Sequence, residues 1–279
     1  MINIGLYNQI SIRLSRDITF SYSSSFSSAT KLLSPKVADS IVSIYGFVRI
    51  ADEVVDTWRP KEMAEYLDEL TADTKRALKT GFSINPIVHS FCLVVREYGI
   101  PMDLIDSFMD SMRMDIKKKR YSLEEYSDYI YGSAEAVGLM CLMLFVAGDK
   151  KKFRELKPSA RALGSAFQKI NFLRDISDDS GNLGRLYFPG KSSKNLTQQD
   201  ITDITEDINK DLKVASGAIK SLPKSSRYGV ELAYSYFSEL TKLINSRPAS
   251  ELSKSRASLP LFVKIRILLF IKIKRSFAL

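Results

Sequence analysis

The sequence predicts an all-α protein, a helical bundle, and three observations predict it. Apolar residues recur three and four positions apart through most of the 279-residue chain, the period of a helix face. No run alternates apolar and polar residues for long enough to make a useful strand. Capping residues, prolines and glycines punctuate the periodic stretches at helix-length intervals. About ten helices and no sheet are expected. Neither a linker nor a repeat of fixed period interrupts the pattern, so residues 1–279 read as a single domain.

Taken in order, Ile2 to Ile18 forms a first candidate helix, and Thr19 to Thr30 is rich in Ser, Phe and Tyr. Ser34-Pro35, a capping residue followed by Pro at the first helical position, starts a long helix to about Thr57. Pro60 to Lys79 is a polar outer helix closed by Gly81. Pro86 to Tyr98 is apolar and ends at Gly99 and Pro101. Met102 to Lys119 is amphipathic, with a methionine stripe at Met102, Met109, Met112 and Met114. Ser122 and Glu125 fit a capping box for a helix to about Val146. Its segment Tyr131-Gly132-Ser133-Ala134-Glu135-Ala136-Val137-Gly138 is small enough to admit a neighbouring helix or a long ligand. Pro158 is expected to start the next helix, which runs through Asp179. A loop from Gly181 to Asn195 carries Gly184-Arg185-Leu186-Tyr187-Phe188-Pro189. Polar amphipathic helices follow, from Thr197 or Gln199 to Leu222 and from Pro223 to Asn245. The apolar segment Leu261 to Phe277 carries Lys264, Arg266, Lys272, Lys274 and Arg275.

Bulk properties narrow the function. The net charge is +9 and the isoelectric point about 9.3, which favours an anionic partner: phosphate, nucleic acid or a membrane surface. The two cysteines, Cys92 and Cys141, sit in apolar helical patterns and read as reduced thiols. The only histidine is His89, which excludes a histidine-ligated zinc site and disfavours a Ser-His-Asp triad. Neither a Walker loop nor a dinucleotide fingerprint is present. The first thirty residues have no signal-peptide core, and no run is long enough and free enough of charge to span a membrane. A cytoplasmic protein is expected. The basic run Lys117-Lys118-Lys119-Arg120 reads as a solvated helix end, and with no accompanying motif nucleic acid is not the expected partner.

Two stretches carry the chemistry. In Gln168-Lys169-Ile170-Asn171-Phe172-Leu173-Arg174-Asp175-Ile176-Ser177-Asp178-Asp179, a continuous helix would line up Gln168, Asn171, Asp175 and Asp179 on one face beside Arg174. In Tyr45-Gly46-Phe47-Val48-Arg49-Ile50-Ala51-Asp52-Glu53-Val54-Val55-Asp56, the residues Arg49, Asp52 and Asp56 share a face. Carboxylates four apart repel by roughly a few tenths of a kcal/mol, and a cation relieves that. Such pairs are often plain solvated surface, but two of them, each with a flanking arginine among apolar neighbours, suit Mg²⁺ or Mn²⁺. Mg²⁺ usually takes one or two carboxylates together with phosphate oxygens, so a diphosphate is the natural partner. Arg49, Arg174 and Arg185 would grip its oxygens. Aromatic walls around such a site would suit carbocation chemistry.

On these motifs, with Tyr131 to Gly138 and Gly184 to Pro189, the chain resembles the squalene/phytoene synthase family of head-to-head prenyltransferases from Ser23 to about Arg256, and within it the bacterial phytoene synthases. The resemblance implies an isoprenoid-synthase-type fold with a central cavity and two facing acidic motifs bridged to diphosphate by Mg²⁺ or Mn²⁺. It assigns Asp52, Asp56, Asn171, Asp175 and Asp179 to metal. It assigns Ser23, Phe26, Tyr45, Arg49, Gln168, Arg174 and Arg256 to substrate, and places Tyr131 near the reacting diphosphate. A tyrosine late in the family's pattern has no counterpart between Leu243 and Pro248. The implied reaction joins two geranylgeranyl diphosphates through a cyclopropyl diphosphate into phytoene, for carotenoid biosynthesis. Squalene or dehydrosqualene formation from farnesyl diphosphate is the alternative, and a non-catalytic membrane-associated relative is a third reading. The basic amphipathic segment Leu261 to Phe277 implies peripheral contact with an anionic membrane, at the inner face.

Overall fold

The computed structural model describes residues 4–57, 62–179, 184–192 and 194–277. Among them every regular element is helical: α1 (Ile4–Tyr22), α2 (Ser24–Thr30), α3 (Pro35–Asp56), α4 (Met63–Thr80), α5 (Pro86–Tyr98), α6 (Met102–Lys117), α7 (Leu123–Ile130), a π-helical turn (Tyr131–Glu135), α8 (Ala136–Phe145), α9 (Lys150–Arg174), α10 (Ile176–Asp178), α11 (Gln198–Ile219), α12 (Lys224–Ser246), α13 (Ala249–Leu252) and α14 (Leu261–Phe277). The one β-type pairing is an isolated bridge between Arg120 and Leu186. More helices appear than expected because the serine-rich segment before Leu32 forms α2 and because two long helices are interrupted. The start of the expected polar helix at Pro60, and part of the loop from Gly181, lie outside the described residues.

Local chemistry accounts for the boundaries. Ser23 caps α2 by accepting from the Phe26 amide, and Asn85 caps α5. The capping box of Ser122 and Glu125 is formed, and Thr197 with Asp200 makes another ahead of α11. Gly81 and Gly99 end α4 and α5 in the left-handed conformation.

Three expectations need correction. Pro158 does not start a helix. The Asp149 carboxylate caps the amides of Lys151 and Lys152, so α9 begins at Lys150 and carries Pro158 inside it. Capping and packing outweigh the one backbone bond a proline removes. The second acidic stretch is not one continuous helix either: Asp175 leaves helical geometry, at φ −104° and ψ 8°, and only a short turn follows. Finally, Leu123–Phe145 is long and apolar enough to cross a membrane, but the π turn interrupts it and much of it faces the protein core.

The small residues after Tyr131 serve helix contact. A methyl group on Gly132 would collide with the Ser107 carbonyl of α6. One on Gly164 would lie 2.6 Å from the Ala134 carbonyl oxygen, and one on Gly138 3.0 Å from that of Ala160. The π turn and α8 therefore lie backbone to backbone against α6 and α9. Likewise Gly46 brings α3 against Ser15 of α1. Phe47, Phe91 and Phe108 fill one core on α3, α5 and α6, while Ile170, Phe172, Ile208 and Leu232 belong to a second on α9, α11 and α12. The acidic ends of α3 and α9 stand one on each core.

Candidate active site

Both acidic stretches lie at helix C-termini, where the helix dipole already places partial negative charge. Asp52, Glu53 and Asp56 occupy the last turns of α3, and Asp175 closes α9. Each end is therefore a place where cations are stabilised and further carboxylates are not.

On α3, Arg49 pairs with Glu53 and stands 4.0 Å from Asp52. Its guanidinium lies 4.3 Å from the centre of the Tyr22 ring, and its Nε is buried without a partner. The Asp52 side chain is 31% exposed, yet its pKa is pushed up to about 8. Burial is the largest cause and Asp56 the next, with Arg49 opposing both. Cys141 on α8 has the same character: it is half-buried, and burial pushes its thiol up to about 12.

On the facing element, Arg174 grips Asp175 through Nη2 at 2.6 Å and Nε at 3.0 Å. Arg256 reaches the same carboxylate at 2.7 Å, so the last arginine named from the sequence meets the second motif. Asn171 keeps its Oδ1 buried and without a donor. Asp179 is pushed up to about 8, first by burial, then by Asp175 and by Asp56. A carboxylate at the end of α3 thus disfavours the charge of one beyond α9. Gln168 lies one turn before Asn171, half-buried.

Between the motifs, the Tyr45 phenol is hydrogen-bonded to Ser23. Burial raises its pKa, while the charges of Arg49 and Arg174 lower it. Phe26 stacks on Tyr45 with centroids 4.6 Å apart. Ser23, Phe26, Tyr45, Arg49, Asp52 and Arg174 therefore come together. Tyr131 is placed differently. Its ring lies under Arg161, 5.3 Å from the guanidinium, and Arg161 stands ten residues before Asn171 on α9, about 15 Å along the axis. Arg185 is 6% exposed. It donates to Asp56 at 2.5 Å and to the Val55 carbonyl at 2.6 Å. Its guanidinium fork is spent on the end of α3.

Sequence reasoning missed the group behind Arg185. Asp115, on α6, is buried and accepts hydrogen bonds from three phenols: Tyr121 at 2.8 Å, Tyr129 at 2.6 Å and Tyr187 at 2.9 Å. Arg185 Nε stands 3.9 Å away. Burial raises the pKa of Asp115, and Arg185 is the strongest opposing influence, ahead of the tyrosines. A chain of contacts thus runs from the tyrosine cage through Asp115 and Arg185 to Asp56. The signal was present: Asp115 follows Phe108 and Met112 on the apolar face of α6, where a carboxylate needs donors.

The recess bordered by Phe172, Asp179, Arg185 and Tyr187 holds about 10 Å³. There Phe172 stacks on Tyr187 with centroids 4.2 Å apart. A larger groove of about 360 Å³ lies between α12 and α14. Among the described residues no three acidic, cysteine or histidine side chains converge closely enough to hold a metal unaided. The donors nevertheless fit a hard divalent ion that keeps waters and shares phosphate oxygens. Asn171 offers an unpaired buried oxygen, and a cation would favour the ionised forms of Asp52 and Asp179, which burial and neighbouring carboxylates disfavour.

A family model described as squalene/phytoene synthase matches residues 21–263. The chain is 34% identical to a 15-cis-phytoene synthase of Paracoccus sp. over 180 residues, 60% of this chain and 56% of that protein. It is 28% identical to a presqualene diphosphate synthase of Sinorhizobium fredii over 237 residues, 81% and 76% of the two chains. The chain thus spans little more than half the length of the phytoene synthase it matches. Among solved structures, a dehydrosqualene synthase superimposes with a TM-score of 0.82 at 19% identity, over 96% of this chain and 98% of that one. This likeness places the helices in the isoprenoid-synthase arrangement.

Proposed function

Because this chain belongs to the squalene/phytoene synthase family, we propose that it is a prenyltransferase joining two geranylgeranyl diphosphates head to head into phytoene, through a cyclopropyl diphosphate. The observation that carries the reading is that Asp56, at the end of α3, is close enough to help raise the pKa of Asp179, beyond the end of α9, after burial and Asp175. Asp52, Asp56, Asn171, Asp175 and Asp179 would hold Mg²⁺ or Mn²⁺. The bound ion supplies charge that draws off diphosphate and orients it.

The chain's own residues do the rest. Arg49 and Arg174 bind diphosphate oxygens, with Arg256 beside them on Asp175. Arg185, held by Asp115, fixes the Asp56 carboxylate. The stacked rings of Phe26 and Tyr45 offer a π face to an allylic cation and keep water from it. The first prenyl diphosphate loses its diphosphate, and the double bond of the second chain attacks the resulting cation; loss of a proton then closes the ring of the cyclopropyl diphosphate. A second loss of diphosphate, rearrangement and loss of a proton then yield the polyene. Both acidic motifs serve this one site, so residues 1–279 act as one domain.

The second reading, farnesyl diphosphate going to squalene or dehydrosqualene, is favoured by the presqualene diphosphate synthases, whose match covers more of this chain. Five additional carbons are worth roughly 4 kcal/mol of burial at about 0.8 kcal/mol per CH₂, enough for one substrate to win. Incubating the protein with Mg²⁺ and each labelled prenyl diphosphate, with and without reduced nicotinamide, then weighing the product, decides between them. A C40 polyene from geranylgeranyl diphosphate is expected; a C30 product alone would establish the second reading. No product from either substrate would leave a non-catalytic relative.

The same reading makes the protein a peripheral one at the cytoplasmic membrane face. On α14, Phe262, Leu269, Phe270, Ile273 and Phe277 are exposed, and the helix carries five basic and no acidic residues. That pattern suits an anionic bilayer, the polyene's natural acceptor. The double variant Leu269→Glu with Ile273→Glu places two charges on that apolar face. It is expected to abolish co-sedimentation with phosphatidylglycerol vesicles, and undiminished binding would refute the docking face.

A further inference from the structure

Lys264 lies on the inner side of α14, and none of the ion pairs among the described residues uses it, whereas Lys274 of the same helix pairs with Glu231. Its Nζ stands 3.3 Å from the Ser24 hydroxyl. Its backbone is pinned, since the Tyr236 hydroxyl donates to the Lys264 carbonyl at 3.1 Å. Further along the helix Arg275 donates to the Leu32 carbonyl at 3.2 Å. The ammonium is therefore held over the start of α2, next to Ser23, the hydrogen-bond partner of Tyr45.

The charges around it are out of balance. Burial and the nearby Arg174 guanidinium both lower the Lys264 pKa. Arg174 and Arg256 already share the Asp175 carboxylate. The Asp175 carboxylate is thus taken by two guanidiniums and is paired with neither Lys264 nor any other ammonium among the described residues. Packing a half-buried ammonium beside a guanidinium costs free energy unless an anion joins them. A doubly charged phosphoryl group, with several acceptor oxygens, would take donors from both.

We propose that Lys264 is a further diphosphate-binding residue, delivered by α14 and completing with Ser24 and Arg174 a cradle for phosphoryl oxygens at the second acidic motif. This rests on the prenyl diphosphate reading. It also gives α14 a second role: its outer face is free for the bilayer while its inner face supplies a side chain to the site.

Calorimetric titration of the full chain with inorganic pyrophosphate in Mg²⁺ tests it. Lys264→Gln is expected to weaken binding about tenfold, the loss of one charge-assisted hydrogen bond. Lys264→Arg should retain most of the affinity, which also shows that the position tolerates substitution. Lys272→Gln, an exposed cation on the outer side of the same helix, should bind as the wild type does. Equal affinity in wild type and Lys264→Gln would overturn the inference and leave the underlying reading intact. A wild-type protein that binds no pyrophosphate would overturn that reading instead.

Discussion

Alanine at Asp52 or at Asp175 is expected to lower product formation by more than about 100-fold, the upper end of what losing a mere supporting contact costs at a metal site. The fold should survive both changes. Asp52 already resists ionisation, with its pKa pushed up to about 8, so removing it relieves repulsion in the metal-free protein. Asp175 caps α9 but receives its donors from two arginine side chains, which are free to turn to solvent. Thermal unfolding should move little while turnover collapses. Turnover within a few-fold of wild type in either variant, measured with saturating Mg²⁺ and substrate, contradicts the assignment of these carboxylates.

Asp115→Asn should have the opposite signature, with a large cost to stability. The wild-type carboxylate satisfies three buried phenols and stands 3.9 Å from a guanidinium that is itself buried. Asparagine keeps one acceptor oxygen, turns the other into a donor facing a tyrosine hydroxyl, and removes the negative charge opposite Arg185. Breaking a buried ion pair from one side costs roughly 3–5 kcal/mol. For a chain of this size that lowers the melting temperature by roughly 10 °C. Tyr129→Phe, which deletes one phenol and leaves the charges in place, should cost about 1–2 kcal/mol. Circular dichroism melts of both variants check the ranking, and an Asp115→Asn melt within two degrees or so of wild type would remove Asp115 from its place behind Arg185 and Asp56.

What the sequence made legible follows from what is local. The start of α3 at Ser34-Pro35, the capping box before α7 and the limits of α5 and α14 depend on neighbouring residues, and each is found where the pattern puts it. The grouping of Arg49, Asp52 and Asp56 is equally local, since it needs only the period of one helix. The rest required tertiary contacts. Pro158 inside α9 is tolerated because Asp149 and the Gly138 and Gly164 contacts hold that helix. The break at Asp175 places its carboxylate on Arg174 and Arg256, the latter from beyond α13. Arg185 meets an aspartate 129 residues earlier in the chain, a pairing no spacing rule contains. Lys264 passed as one cation among five on a basic helix, because only the packing of α14 onto α2 separates it from those facing water.

The central claim is that the ends of α3 and α9 hold diphosphate between them through divalent ions. Crystals grown with Mn²⁺ and pyrophosphate test it most directly, since the anomalous scattering of manganese marks its position. The expected map has manganese within about 2.2 Å of carboxylate oxygens from Asp52 or Asp56 on one side and from Asp175 or Asp179 on the other, with the Asn171 oxygen as a further ligand and pyrophosphate between. Manganese bound elsewhere, or pyrophosphate seated away from both motifs, would contradict the account.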